Sequence, residues 1–172
     1  MKRYNTIIPN DVVNGEGVCV SFFTQGCPHR CPGCFNEETW DFDGGVEYVE
    51  HTKWQIIEYI GANGFYRNFS VLGGEPLADE NLEITEEVVS AVRTAYPYIK
   101  IFLWTGYTFE ELEQSPHSQI KHILSMIDVL IDGPFKIEEK NLDLHLRGSN
   151  NQRVINMPAT LESGQIVPYN QF

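Results

Sequence analysis

The chain has 172 residues, with 24 acidic and 12 basic side chains and a formal net charge of −12. That length suits one domain with a proper core, so residues 1–172 are expected to form a single domain. The acidity disfavours non-specific binding to nucleic acid or to an anionic membrane. No apolar run approaches the ~18 residues of a membrane span. The opening stretch "MKRYNTIIPNDVVNGEG" lacks the apolar core and small-residue cleavage site of a secretory signal. The expected compartment is therefore the cytoplasm, where thiols stay reduced and clustered cysteines point to metal or catalysis rather than disulfides.

In chain order, the first apolar run of strand length is "VCVSFF" (18–23), followed by "TQGC" and a dense cysteine segment. Trp54, Ile57 and Ile60 predict one face of a helix. "FSVL" (69–72) is the next strand, followed by "GGEP". Ile84, Val88, Val92 and Ala95 mark a second helix, stopped by "YPY" at 96–98. "IFLW" (101–104) leads into "TGY"; Ile120, Ile123, Leu124 and Ile127 give the cleanest helical stripe; and "DVLI" (128–131) leads into "DGPF". "RVINM" (153–157) is a fifth strand, and "QIVPY" (165–169) a weaker sixth that Pro168 confines to an edge or loop. Alternation of strand and helix predicts an α/β fold with a parallel sheet. Gly and polar residues follow the first four strands, so the site belongs at the shared carboxyl ends. A closed eight-stranded barrel takes ~250 residues. The expectation here is an open, partial (β/α) barrel of five or six mostly parallel strands.

Cys27, Cys31 and Cys34 form C-x3-C-x2-C on the loop after the first strand, and no cysteine follows them. A cubane iron–sulfur cluster wants one outside ligand per iron, usually a cysteine thiolate. Three cysteines leave a fourth iron open, and an open position separates a catalytic metal site from a closed one. Zinc held by these three and His29 fits by ligand type but cramps a tetrahedral ion. A lone nucleophilic cysteine leaves two others unexplained. Cys19, inside a strand, suits core packing.

With "FFTQGCPHRCPGCFNEETW", "LGGEP", "LWTGY", "IDGPF" and "RGSNNQRVI" in that order, Asn14 to Ile155 resembles the radical S-adenosylmethionine enzymes. Within them it is most similar to the activating proteins of anaerobic ribonucleoside-triphosphate reductase. The resemblance implies a radical-SAM type of barrel and a 4Fe-4S cluster on Cys27, Cys31 and Cys34. It implies S-adenosyl-L-methionine as cofactor, its amino and carboxylate groups on the open iron. Reductive cleavage then gives a 5′-deoxyadenosyl radical that removes hydrogen from a glycine of the reductase catalytic subunit. A one-electron donor such as a reduced flavodoxin is implied too. Gly73, Gly74, Glu75 and Pro76 are expected at the ligand's ammonium, and Gly33, Cys34 and Phe35 at the adenine, since the aromatic residue usual before the third cysteine is Gly33 here. Thr105 and Asp132 end strands and are candidates for carboxylate, ribose or substrate contact, or simple turn residues. Arg147, Ser149, Asn150, Asn151, Gln152 and Arg153 suit a partner loop or a ligand carboxylate, and equally a solvated loop. Trp40 is expected to anchor its loop in the core. The alternatives left open are an activase of another glycyl-radical enzyme, a small nucleobase-modifying enzyme, and a non-enzymatic zinc module.

Overall fold

The computed structural model describes residues 1–170. All six residues of β2 (Cys19–Thr24) are buried, as a strand covered on both faces requires. It pairs in parallel with β4 (Asn68–Gly73), β4 with β5 (Ile101–Trp104) and β5 with β6 (Val129–Asp132). The sheet continues beyond this parallel centre on both sides. β1 (Arg3–Asp11) runs antiparallel to β2 and carries β3 (Val46–Glu47) on its outer edge, while β7 (Arg153–Asn156) runs antiparallel to β6.

The expected partial barrel is thereby corrected. The sheet is open and mixed, with seven strands in the order β3-β1-β2-β4-β5-β6-β7 and three antiparallel pairings beside three parallel ones. Connection lengths explain the difference. Only residues 12–18 join β1 to β2, too few for the crossover a parallel pair needs. Residues 133–152, between β6 and β7, hold one 3-10 turn, Ile137–Glu139, and no α-helix, so the chain returns antiparallel from the same end. The weak strand at 165–169 is reduced to a bridge between Ile155 and Pro168, flanked by backbone bonds from Asn156 and Tyr169 to Val167 and Val154.

Successive strand residues point to opposite faces. Ile101 and Leu103 of β5 join one apolar cluster; Phe102 and Trp104 join another. All five helices feed the first: α1 (Glu50–Ile60), α2 (Leu82–Ala95), α3 (Phe109–Glu113), α4 (Ser118–Met126) and α5 (Met157–Ser163). The opposite face carries a smaller cluster of Phe102, Val129, Ile131 and Tyr169. In α1 the buried stripe is Thr52, Ile56 and Ile60, one step round from the expected one. Trp54 is 53% exposed, with the Lys53 ammonium over its ring. Ala95 likewise ends up exposed, while the stripe of α4 is buried as expected.

Candidate functional site

The loops that leave β2, β4 and β5 touch at their first residues. Gly74 N–H bonds the Thr24 carbonyl at 3.0 Å and Glu75 N–H the Gly26 carbonyl at 2.8 Å. A Cβ on Gly74 would stand 2.4 Å from that same Gly26 oxygen, so this close approach requires glycine. Asn81, buried, donates to Gly26 and Glu75 carbonyls and pins the two loops together. Gly106 serves the same purpose on the other side, where a Cβ would lie 2.5 Å from Cδ2 of His29. The cysteine loop is closed at its base by Gly26 N–H to Thr39 and Cys27 N–H to Trp40.

Cys27, Cys31 and Cys34 consequently line one cavity of about 140 Å³ together with Gly73, Gly74, Glu75 and Thr105. Two larger spaces adjoin it. One, of about 560 Å³, is lined by His29, Tyr107, Glu110, Asp132, Lys136, Asn151 and Arg153. The other, of about 510 Å³, is lined by Val13, Cys34, Phe35, Trp104, Phe135 and Arg147. Of the residues expected around a cofactor, Gly33, Phe35 and Pro76 lie outside the small cavity. Gly33 is exposed, Phe35 is 57% exposed against Phe135 and beneath Lys140, and Pro76 is buried with its carbonyl accepting from Thr85.

All four cysteines are free thiols. Burial pushes Cys27 up to about 11, with the Glu75 charge adding to it, and raises Cys31 by the same cause. Neutral pH alone leaves such thiols protonated, whereas a bound metal ionises them. Among the described residues no three His, Cys, Asp or Glu side chains converge as ligands of a single ion do. His29, the fourth ligand of a zinc site, has its Nε2 on Glu75 instead. A polynuclear cluster takes one thiolate per metal atom and so spaces its ligands more widely. The surroundings also supply a donor: Asn36 N–H reaches the Cys34 sulfur at 3.4 Å. Trp40 lines the cavity rather than the core, and its buried indole N–H has no acceptor among the described residues. The donor set fits an iron–sulfur cluster.

Glu75, 1% exposed, joins the three loops. Its Oε1 accepts from Thr105 Oγ1 (2.8 Å) and Leu77 N–H (2.9 Å); its Oε2 meets His29 Nε2 (2.7 Å) and Gly106 N–H (2.7 Å). His29 carries no signal by type, and its partner lies 46 residues away. Only its place between two cysteines marks it. Asp132, 1% exposed, accepts from Phe109 N–H and from Arg153, whose guanidinium also grips Glu110. That pairing holds Glu110 at about 2. In the 147–153 segment, Gln152 ties Gly148 and Ser149 to the Gly133 carbonyl, and Arg147 donates to Asn150 and Gln152 carbonyls.

An α/β sheet carrying three thiols in a strand-end cavity defines an iron–sulfur protein, and residues 13–155 match the family described as a 4Fe-4S single cluster domain. Among curated relatives, the anaerobic ribonucleoside-triphosphate reductase-activating protein of Vibrio cholerae is 39% identical over 151 residues, covering 87% of this chain and 95% of that one. The protein of the same name from phage T4 is 37% identical over 88% of this chain and 92% of its own. That of Escherichia coli K12 is 35% identical over 88% and 97%. The chain belongs to the family of anaerobic ribonucleoside-triphosphate reductase-activating proteins.

Proposed function

We propose that this activating enzyme cleaves S-adenosyl-L-methionine reductively and uses the 5′-deoxyadenosyl radical to remove hydrogen from a glycine of the catalytic subunit of anaerobic ribonucleotide reductase. One observation carries the reading: Cys27, Cys31, Cys34, Gly73, Gly74, Glu75 and Thr105, drawn from three strand ends, share one cavity. Bound on the three cysteines with one iron open, a 4Fe-4S cluster supplies the electron. The residues supply placement. Both Glu75 oxygens are occupied by protein donors, so the ligand's ammonium falls to the carbonyls of Gly73 and Gly74. The space of about 510 Å³, lined by Cys34 and Phe35, takes the adenine end. The space of about 560 Å³, lined by Tyr107, Asp132, Asn151 and Arg153, is left for the partner's glycine segment.

No helix of the described residues is long and apolar enough to cross a membrane. The proposed setting is the cytoplasm, with neither nucleic acid nor membrane as partner and a reduced flavodoxin or similar protein as electron donor. The decisive measurement is transfer of deuterium from glycine-labelled reductase into 5′-deoxyadenosine. Transfer is expected; its absence with the reductase, alongside intact S-adenosylmethionine cleavage, would turn the assignment toward another glycyl-radical enzyme or a nucleobase substrate. Adding S-adenosylmethionine should also change the electron paramagnetic resonance signal of the reduced cluster.

A further inference from the structure

Two tryptophans line the cavity that holds the three cysteines, and their indole N–H groups differ. Trp104 Nε1–H donates to the Leu146 carbonyl at 2.7 Å. Trp40 Nε1–H is buried and has no acceptor among the described residues, the cysteine sulfurs included. A buried donor left unpaired bears its whole desolvation penalty, so it calls for a partner of its own. The indole is also not free to turn away. Trp40 directly follows the 3-10 turn Glu37–Thr39, its N–H bonds the Glu37 carbonyl, and its carbonyl accepts from Cys27 N–H at 3.1 Å. The Arg30 guanidinium lies over the ring, 5.6 Å from its centroid. Backbone and ring are both fastened to the cysteine loop.

We propose that Trp40 Nε1–H donates to an inorganic sulfide of the bound cluster and makes the cluster easier to reduce. This rests on the reading of Cys27, Cys31 and Cys34 as cluster ligands. The sulfides are acceptors that the cluster itself brings into the cavity. A donor on cluster sulfur stabilises the added negative charge of the reduced state.

The test is pulsed electron paramagnetic resonance of the reduced cluster in anaerobically reconstituted protein, without S-adenosylmethionine, its tryptophans labelled with heavy nitrogen in the indole ring. A coupling to the labelled nitrogen is expected in the wild type, and it should persist in Trp104→Phe. The remaining tryptophan, Trp54, is 53% exposed on α1 and outside the cavity, so persistence assigns the signal to Trp40. Trp40→Phe keeps an aromatic ring and removes the donor. It should lose the coupling and shift the midpoint of a potentiometric titration to more negative values at unchanged iron and sulfide content. Where either variant fails to take up the cluster, the wild-type coupling decides, because the Trp104 N–H is already bonded to Leu146. No coupling in the wild type, a coupling lost in Trp104→Phe, or an unmoved midpoint in Trp40→Phe overturns the inference while leaving the functional reading intact. A coupling that arises only after S-adenosylmethionine is added overturns it too, by assigning the N–H to that ligand. Wild-type protein that takes up no iron defeats the functional reading itself.

Discussion

A carboxylate with four donors and almost no solvent contact is a structural joint before it is a ligand. Glu75 binds groups from the loops after β2, β4 and β5. Glu75→Gln replaces one acceptor oxygen with an amide NH2 that must face a backbone N–H, that of Leu77 or of Gly106, whichever way it turns. Leaving buried donors unpaired costs about 1–3 kcal/mol. Urea unfolding of the metal-free protein should show that loss, and an unchanged midpoint would mean the joint bears no strain. Glu110 makes a separate prediction about acid. Its carboxyl is held near 2 by Arg153, below the usual 4.5. A depressed carboxylate contributes stability that is full above the unfolded value and disappears as pH falls through the folded one. Urea midpoints should therefore fall between about pH 4.5 and 2 more steeply in the wild type than in Glu110→Gln. Salt should shrink the difference, because the pair is largely exposed.

The elements of the sheet were legible to very different degrees. β2, β4, β5 and β6 announce themselves because each is a short apolar run followed by Gly and polar residues. β1 does not: Asn5 and Pro9 interrupt its pattern, and register shifts at Tyr4/Thr6 and Ile8/Asp11 break its alternation. Strand direction at the edges was hidden as well, since it depends on what the connections can span rather than on the strands themselves. In α1, Trp54 competes with Ile56 for the inward face, and only packing settles the phase. Where elements meet, tolerance is least. Gly74→Ala sets a methyl group 2.4 Å from the Gly26 oxygen, a backbone atom that cannot swing aside. Overpacking of this kind costs about 1–3 kcal/mol. Thermal unfolding should reveal it, and reconstituted iron should drop with it, since the strained loop is the one that carries Cys27.

For the whole molecule, the three cysteines and the strand-end glycines were enough to anticipate one shared cavity, because the sheet's parallel core must deliver its loops to one end. The wiring around that centre, His29 to Glu75 and Arg153 to Asp132, joins residues 46 and 21 apart and leaves no trace in local pattern. Anaerobic reconstitution should load about four irons per chain, and alanine at Cys27, Cys31 or Cys34 should abolish S-adenosylmethionine cleavage. Protein that keeps full cleavage after any of those changes would refute the ligand set.

Cys19 has 0% exposure, whereas the other three cysteines sit at partly open positions. The protein thus carries its own internal counter. Alkylation of the native, metal-free chain should add three adducts by mass spectrometry, cluster-loaded chain none, and the fourth should join only after denaturation. Occupancy can then be tallied molecule by molecule, without recourse to colour or turnover.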